Sequence, residues 1–123
     1  MATTRASILA AAAICGLCLG SETKVQMKDL PPAVQKTVAE QSKGAIVRGL
    51  AKEVEDGKTF YEVELKVKGR TRDVLIDPTG AVVSVEQEVA LDSMPGAARA
   101  ASEKGAGKGR IVLVESVTAG GKV

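Results

Sequence analysis

Hydrophobic and polar residues alternate most regularly over residues 59–67. The apolar members share one side of an extended chain: Tyr61, Val63, Leu65 and Val67. The opposite side carries Phe60, Glu62, Glu64 and Lys66. A period of two, built largely from β-branched and aromatic residues, predicts a half-buried β-strand. The neighbouring segments are therefore expected to pair with this strand or to cover its apolar side.

A helix is predicted directly upstream. Apolar residues recur at helical spacing at Leu30, Val34 and Val38, and two consecutive prolines follow Leu30. Proline suits the first turn of a helix, where its missing N–H has no partner to lose. Asp29 is the expected N-cap, and Gly44 is expected to end the helix. Because the apolar stripe is narrow, this helix should lie on a sheet.

Three turn signals divide residues 45–86 into four runs. These signals are Asp56-Gly57, Lys68-Gly69 and Asp77-Pro78-Thr79-Gly80. Ile46, Leu50 and Val54 are expected on one face of the first run, with Gly49 marking a bulge or a bend. Short turns join antiparallel neighbours. The sequence thus predicts an α+β fold in which an N-terminal helix packs on a four-stranded antiparallel meander, over residues 29–89.

The pattern begins again after Leu91. When Leu30 is aligned with Met94, Leu50 aligns with Val114 without a gap. Residues 91–123 are therefore interpreted as an incomplete second repeat, a helix plus a strand, which cannot bury both faces by itself. Three possibilities follow: the strand joins the first sheet, the tail is mobile, or the second copy is truncated. We favour the last.

The first twenty residues are typical of a secretory signal peptide. Arg5 is their only charge, and the apolar run from Ala6 to Leu19 is shorter than a membrane-spanning helix requires. Cleavage before Ser21 would leave residues 21–28 as a flexible leader and remove both cysteines. A retained membrane anchor and a lipoprotein signal are the alternatives. A periplasmic or secreted location is expected, with membrane contact only through an uncleaved signal.

Three segments resemble the PepSY and PepSY-like domains. They are Leu30–Val34 at the helix start, Phe60–Leu65 in the main strand and Asp77–Val82 before the fourth strand. These domains are small exported bacterial modules, often in tandem, and some resemble the β-lactamase-inhibitor fold. The resemblance implies a role in regulating or inhibiting peptidases or other envelope proteins by binding. It supplies no shared catalytic residues.

Composition narrows the chemistry. The 123 residues hold 17 basic and 15 acidic side chains, one Phe, one Tyr, and neither Trp nor His. The near balance of charge favours neither nucleic acid nor an anionic membrane as a partner. Without histidine the commonest general base and metal ligand are missing. We expect no enzymatic activity, no catalytic residues, no bound metal and no cofactor.

The candidate binding residues are Phe60, Glu62 and Glu64. The two glutamates share one strand face, where a carboxylate pair could bind a cation, but a solvated strand face is the simpler explanation. Phe60 could anchor a partner from the polar face, or pack against a neighbouring element. The sequence favours a non-enzymatic module that binds an envelope protein or peptide. The alternatives are a small-molecule or divalent-ion-binding envelope protein and a purely structural role.

Overall fold

The structure is a computed structural model that describes residues 20–120, so the predicted signal peptide lies almost entirely outside the described residues. The strands are β1 (Ser21–Lys24), β2 (Ile46–Glu55), β3 (Lys58–Val67), β4 (Arg70–Ile76), β5 (Val82–Glu88) and β6 (Glu115–Ala119). The α-helices are α1 (Pro32–Gln41) and α2 (Gly96–Ala106). Each follows a single turn of 3-10 helix, at Met27–Asp29 and Leu91–Ser93.

The six strands form one antiparallel sheet in chain order, β1 to β6. The α+β class is confirmed, and β2 to β5 are the predicted meander. The prediction is wrong in two respects. A strand precedes the helix, because residues 21–24 of the expected flexible leader pair with β2. The sheet is also two strands wider than expected, because β1 and β6 extend it at its two edges.

Two of the predicted turns have the backbone that a two-residue hairpin needs. Asp56 and Gly57 have φ values of 50° and 73°, and Lys68 and Gly69 have 49° and 81°. Positive φ at both central positions matches the right-handed twist of the flanking strands. These turns fix the registers of β2 against β3 and of β3 against β4.

The predicted irregularity at Gly49 is present. The register shifts between Val47, opposite Leu65, and Gly49, opposite Glu64. The extra residue reverses the faces of the strand upstream of it. Ile46 therefore does not share a face with Leu50, contrary to the prediction, and it is 65% exposed.

The hydrophobic core lies between α1 and strands β3 and β4. Its buried members are Leu30, Val34, Val38, Val63, Leu65, Val74 and Ile76. Each buried aliphatic side chain contributes about 1.5–3 kcal/mol relative to exposure. Burial of Leu30, Val34 and Val38 confirms the predicted helix stripe.

The predicted cap is wrong, because α1 begins at Pro32 with Pro31 at its cap position. Asp29 instead closes the 3-10 turn, where its Oδ2 accepts the Gln26 N–H at 3.3 Å.

The Asp77–Gly80 turn packs directly against α1. Gly80 has φ 86°, and a Cβ there would lie 2.7 Å from the Ala33 carbonyl oxygen. The Thr37 hydroxyl lies 2.5 Å from the Gly80 carbonyl oxygen, to which it donates. The β4–β5 connection is thus fastened to the helix, and only glycine fits its closest point.

Backbone hydrogen bonds around α1 recur around α2, at the positions that the repeat alignment makes equivalent. The Val25 N–H donates to the Leu50 carbonyl at 3.0 Å, and the Val89 N–H donates to the Val114 carbonyl at 2.8 Å. Residues 85–88 of β5 hold the same register against β6 that β1 holds against β2. The strand of the second repeat therefore joins the first sheet, which is the first of the three possibilities.

We refer to residues 21–84 as the N-terminal unit and to residues 85–120 as the C-terminal unit. The two units differ in how much they bury. In the C-terminal unit Val114, which directly precedes β6, is buried, whereas α2 buries none of its residues. The second helix thus repeats the connection of the first helix without repeating its core.

Candidate functional site

Phe60, Glu62 and Glu64 lie on the sheet face opposite α1. This follows from β3, whose Val63 and Leu65 are in the core while the intervening residues point the other way. The strand registers place carboxylates from all six strands on that side. We define this acidic face by Glu22, Glu53, Glu62, Glu64, Asp73, Glu86, Glu88 and Glu115.

Three carboxylates form the central row of the acidic face. Glu64 is directly opposite Asp73, and Asp73 is directly opposite Glu86. Neighbouring strands lie about 4.8 Å apart, so each member has a like charge beside it. Like charges directly opposite one another destabilise a sheet. The row therefore costs free energy in the isolated protein.

Asp73 is the most constrained member of this row. Burial, followed by the negative charges of Glu64, Glu86 and Glu115, raises the pKa of its carboxyl to about 6. Its Oδ1 is buried and accepts no hydrogen bond from the described residues. Asp73 is thus a partly dehydrated carboxylate with one unsatisfied oxygen, and a nearby cation would favour its charged form.

Glu62 is the second perturbed group. Burial raises its pKa to about 8, supported by the charge of Glu53, a hydrogen bond with the Glu53 side chain, and the charges of Asp73 and Glu22. At neutral pH this carboxyl is therefore largely protonated. It lies in the row next to the Glu64–Asp73–Glu86 row and limits how much negative charge the centre of the sheet carries.

Cations compensate the acidic face only weakly. Lys24, Lys58 and Lys66 lie on it, and Arg48 borders it near Glu62 and Glu64. No ion pair joins Glu62, Glu64, Asp73 or Glu86 to a basic side chain within residues 20–120. A salt bridge does join two residues of α2, Arg99 and Glu103, at 3.0 Å. Glu88 is satisfied locally, because its Oε2 accepts the Thr71 N–H at 2.9 Å.

An open depression of about 240 Å³ lies on this face over β1, β2 and β3. Its floor includes Gly49 and Ala51, whose small size leaves space beside Glu62 and Glu64. Pockets for small molecules usually measure about 300–1,000 Å³ and enclose their ligand, so this depression is small for that purpose. Within residues 20–120, no group of three acidic or other metal-ligating side chains is arranged to hold a metal ion.

The structure brings the three predicted site residues onto one face, where they differ in exposure. Phe60 is half-buried opposite Glu53, and Glu62 is half-buried, while Glu64 is exposed. Sequence reasoning missed that Asp73 completes the pair with Glu64. The signal was present, because a two-residue turn at Lys68-Gly69 pairs 67 with 70 and hence 64 with 73. Glu86 was harder to place, since a bulge between Leu75 and Ile76 shifts the next register.

The carboxylate of Asp77, unlike that of Asp73, accepts hydrogen bonds from neighbouring residues of its own turn. Its Oδ1 accepts the Thr79 N–H at 2.8 Å, the Thr79 hydroxyl at 2.5 Å and the Ala81 N–H at 3.1 Å. These bonds, above all that from the Thr79 hydroxyl, lower the pKa of Asp77. The carboxylate therefore stabilises the backbone of the β4–β5 turn.

No helix within residues 20–120 has the length and hydropathy needed to cross a bilayer. Comparisons with protein-family models, with curated proteins and with solved structures find no match to this chain. The resemblance to PepSY-like domains therefore stays a prediction.

Proposed function

We propose that this chain is an exported, non-enzymatic, PepSY-like module that binds a basic segment of an envelope protein or peptide on its acidic face. Regulation or inhibition of a peptidase is the form of activity that the family resemblance favours. The observation that carries the proposal is the Glu64–Asp73–Glu86 row on the sheet face opposite the core that α1 covers.

The free protein leaves much of the negative charge on its acidic face uncompensated. Repulsion within the row and the burial of Asp73 both disfavour the charged state. Lysine or arginine side chains from a partner would convert this repulsion into attraction and favour the charged form of Asp73. Electrostatic complementarity of this kind contributes chiefly to specificity and association rate. Phe60, on the same face near the β2–β3 hairpin, would add an aromatic contact.

Binding of a cationic partner should also release protons. A positive charge beside Glu62 and Asp73 lowers their raised pKa values, which lie at about 8 and about 6. Complex formation near neutral pH should therefore eject a fraction of a proton from Glu62. Calorimetry in buffers with different ionisation enthalpies measures that release directly.

Perturbed carboxyls are also candidates for acid–base catalysis. Here they lie on an open sheet face, which does not exclude water as an active-site cleft does. The alternative of a small-molecule or divalent-ion site has less support, because the depression is small and no three-ligand group accompanies it among the described residues. Protein binding remains the better proposal.

The proposal is tested by affinity capture from an envelope extract with the tagged full chain. The test variant Glu64→Gln/Glu86→Gln removes two charges from the acidic face. The control variant Glu40→Gln/Asp92→Asn removes two charges from exposed positions elsewhere, on α1 and in the second 3-10 turn. We expect the test variant to lose proteins that the wild type and the control both retain. Phe60→Ala should weaken the same interactions.

Captured proteins should also elute as the salt concentration is raised to several times the physiological value, since exposed charges are screened over about 10 Å at 0.1 M. Identical capture by the test and control variants would contradict the proposal. So would a bound set that contains no basic segment.

A further inference from the structure

The outer edge of β6 is a second surface of interest. β6 is the last strand of the sheet, and no strand within residues 20–120 pairs with its other side. The Val89–Val114 hydrogen bond shows that residue 114 directs its backbone groups towards β5. Backbone groups alternate along an antiparallel strand, so Ser116 and Thr118 also face β5. Val117 and Ala119 consequently present their N–H and C=O groups to the open edge.

The N-terminal unit shows how the equivalent edge is used. In the repeat alignment Val117 corresponds to Glu53 of β2, and Glu53 is opposite Phe60 of β3. The helix of that unit, α1, then covers the apolar side chains of β3, Val63 and Leu65. In the C-terminal unit the same connection leads from β5 through α2 to β6, but no described strand occupies the place of β3.

The stripe of α2 that corresponds to the apolar stripe of α1 is not buried. Leu30, Val34 and Val38 of the N-terminal unit correspond to Met94, Ala98 and Ser102. All three C-terminal residues are partly exposed, whereas all three N-terminal residues are buried. Alanine and serine are smaller than valine, so this stripe of α2 is less bulky than the corresponding stripe of α1.

Charge distinguishes between possible occupants. On the acidic face, β6 carries Glu115 where β2 has Ala51, and β5 carries Glu88 where β1 has Lys24. Together with Glu86 they make this end of the sheet acidic. A second copy that paired through its own β6 would bring only Glu115, Val117 and Ala119 to that side, and no basic residue. An added strand with lysine or arginine on that side would instead be attracted.

We propose that the β6 edge and α2 accept an extended peptide segment that alternates aliphatic residues, facing α2, with basic residues facing the acidic side. The main chain would add to the sheet as a seventh strand, a recognised mode of peptide binding. The β6 edge is a different surface from the central row of the acidic face, and binding of suitable peptides distinguishes the two.

The probe is a fluorescent peptide copying β3, residues 58–67, with Glu62→Lys and Glu64→Lys. One control peptide keeps the natural glutamates. A second keeps the lysines but is methylated on the backbone nitrogen of Phe60. That change preserves every side chain while removing the N–H that would pair with residue 117. With the full chain we expect the lysine peptide to bind at least tenfold more tightly than either control.

Two protein variants locate the binding. Val117→Pro removes an outward-facing N–H without removing a bond to β5, and Val117→Lys keeps that N–H but opposes basic residues. Both should reduce binding of the lysine peptide to the level of the N-methylated control. Lys24→Pro, at an outward-facing position on the β1 edge, should leave it unchanged. Circular dichroism melting verifies that each variant is folded.

Equal binding of the lysine and N-methylated peptides, unaffected at residue 117, would overturn the edge proposal while supporting the acidic face as a charge-only surface. Absence of binding by all peptides would overturn it as well, leaving the capture experiment to decide the proposed function. A concentration-dependent dimer that Val117→Pro abolishes would identify a second copy as the occupant and would also overturn it.

Discussion

Equivalent backbone hydrogen bonds join the segments that flank α1 and the segments that flank α2. The two helices nevertheless differ completely in burial. α1 buries Val34, Thr37 and Val38, whereas α2 buries no residue. The difference comes from the strands that each helix faces. α1 lies over β3 and β4, which supply Val63, Leu65, Val74 and Ile76. α2 has no comparable pair of strands among the described residues.

This comparison shows that helical pattern and local connection do not create a core by themselves. Most of the stability of a short helix comes from packing of its apolar face. The N-terminal unit holds all but one of the buried apolar side chains of the described residues, and the C-terminal unit is attached through the pairing of β5 with β4. The following predictions test how far that asymmetry goes.

Leu65→Ala should have the largest effect. Removing a fully buried leucine from beneath α1 should lower the free energy of unfolding by about 2–5 kcal/mol. Leu113→Ala, in the partly exposed C-terminal unit, should cost less than half as much. Urea denaturation of both variants measures the contrast. Equal losses would show that the two units are equally well packed.

Gly80→Ala should come second. Positive φ alone costs about 1–3 kcal/mol for a residue other than glycine. The new Cβ would also approach the Ala33 carbonyl to 2.7 Å, which requires the turn to move from α1. Gly69→Ala is the matched control, because its φ is 81° but nothing lies within 4 Å. The difference between the two thermal midpoints isolates the contact with the helix.

The pH dependence of stability should follow from β3 and β4, which belong only to the N-terminal unit. A carboxyl whose pKa is raised on folding binds more protons in the folded state, so stability is highest below its unfolded pKa and falls as pH rises. For Glu62 the loss should extend from about pH 4.5 to about 8. After allowance for solvent screening we expect on the order of 1 kcal/mol. Glu62→Gln should flatten this slope, as measured by chemical denaturation at both ends of that range.

Gly105→Ala should have the smallest effect and the opposite sign. Gly105 lies within α2, and a Cβ there would meet nothing within 4 Å. Replacing a helical glycine by alanine usually stabilises by about 0.5–1 kcal/mol. If α2 frays independently of the sheet, hydrogen exchange of its amides should slow while the global unfolding midpoint stays unchanged. A large rise in the midpoint would indicate that α2 is better integrated than its exposure suggests.

Local signals in the sequence were sufficient for the meander and for the face that carries Phe60, Glu62 and Glu64. Alternation in β3 and two-residue turns fix both features without distant information. β1 escaped prediction because its four residues, Ser21–Lys24, are all polar or charged and form a strand only by pairing with β2. The Asp73–Glu86 pairing escaped because a bulge, invisible to alternation, sets that register.

The double position of β5 has a consequence for how this architecture can be divided or enlarged. Residues 85–88 close the sheet of the first unit and simultaneously occupy, for α2 and β6, the place that β1 occupies for α1 and β2. No cut in the chain can therefore separate the units without depriving one of them of a strand. Successive units of this design would widen the sheet by sharing a border strand, with no flexible joint between one repeat and the next.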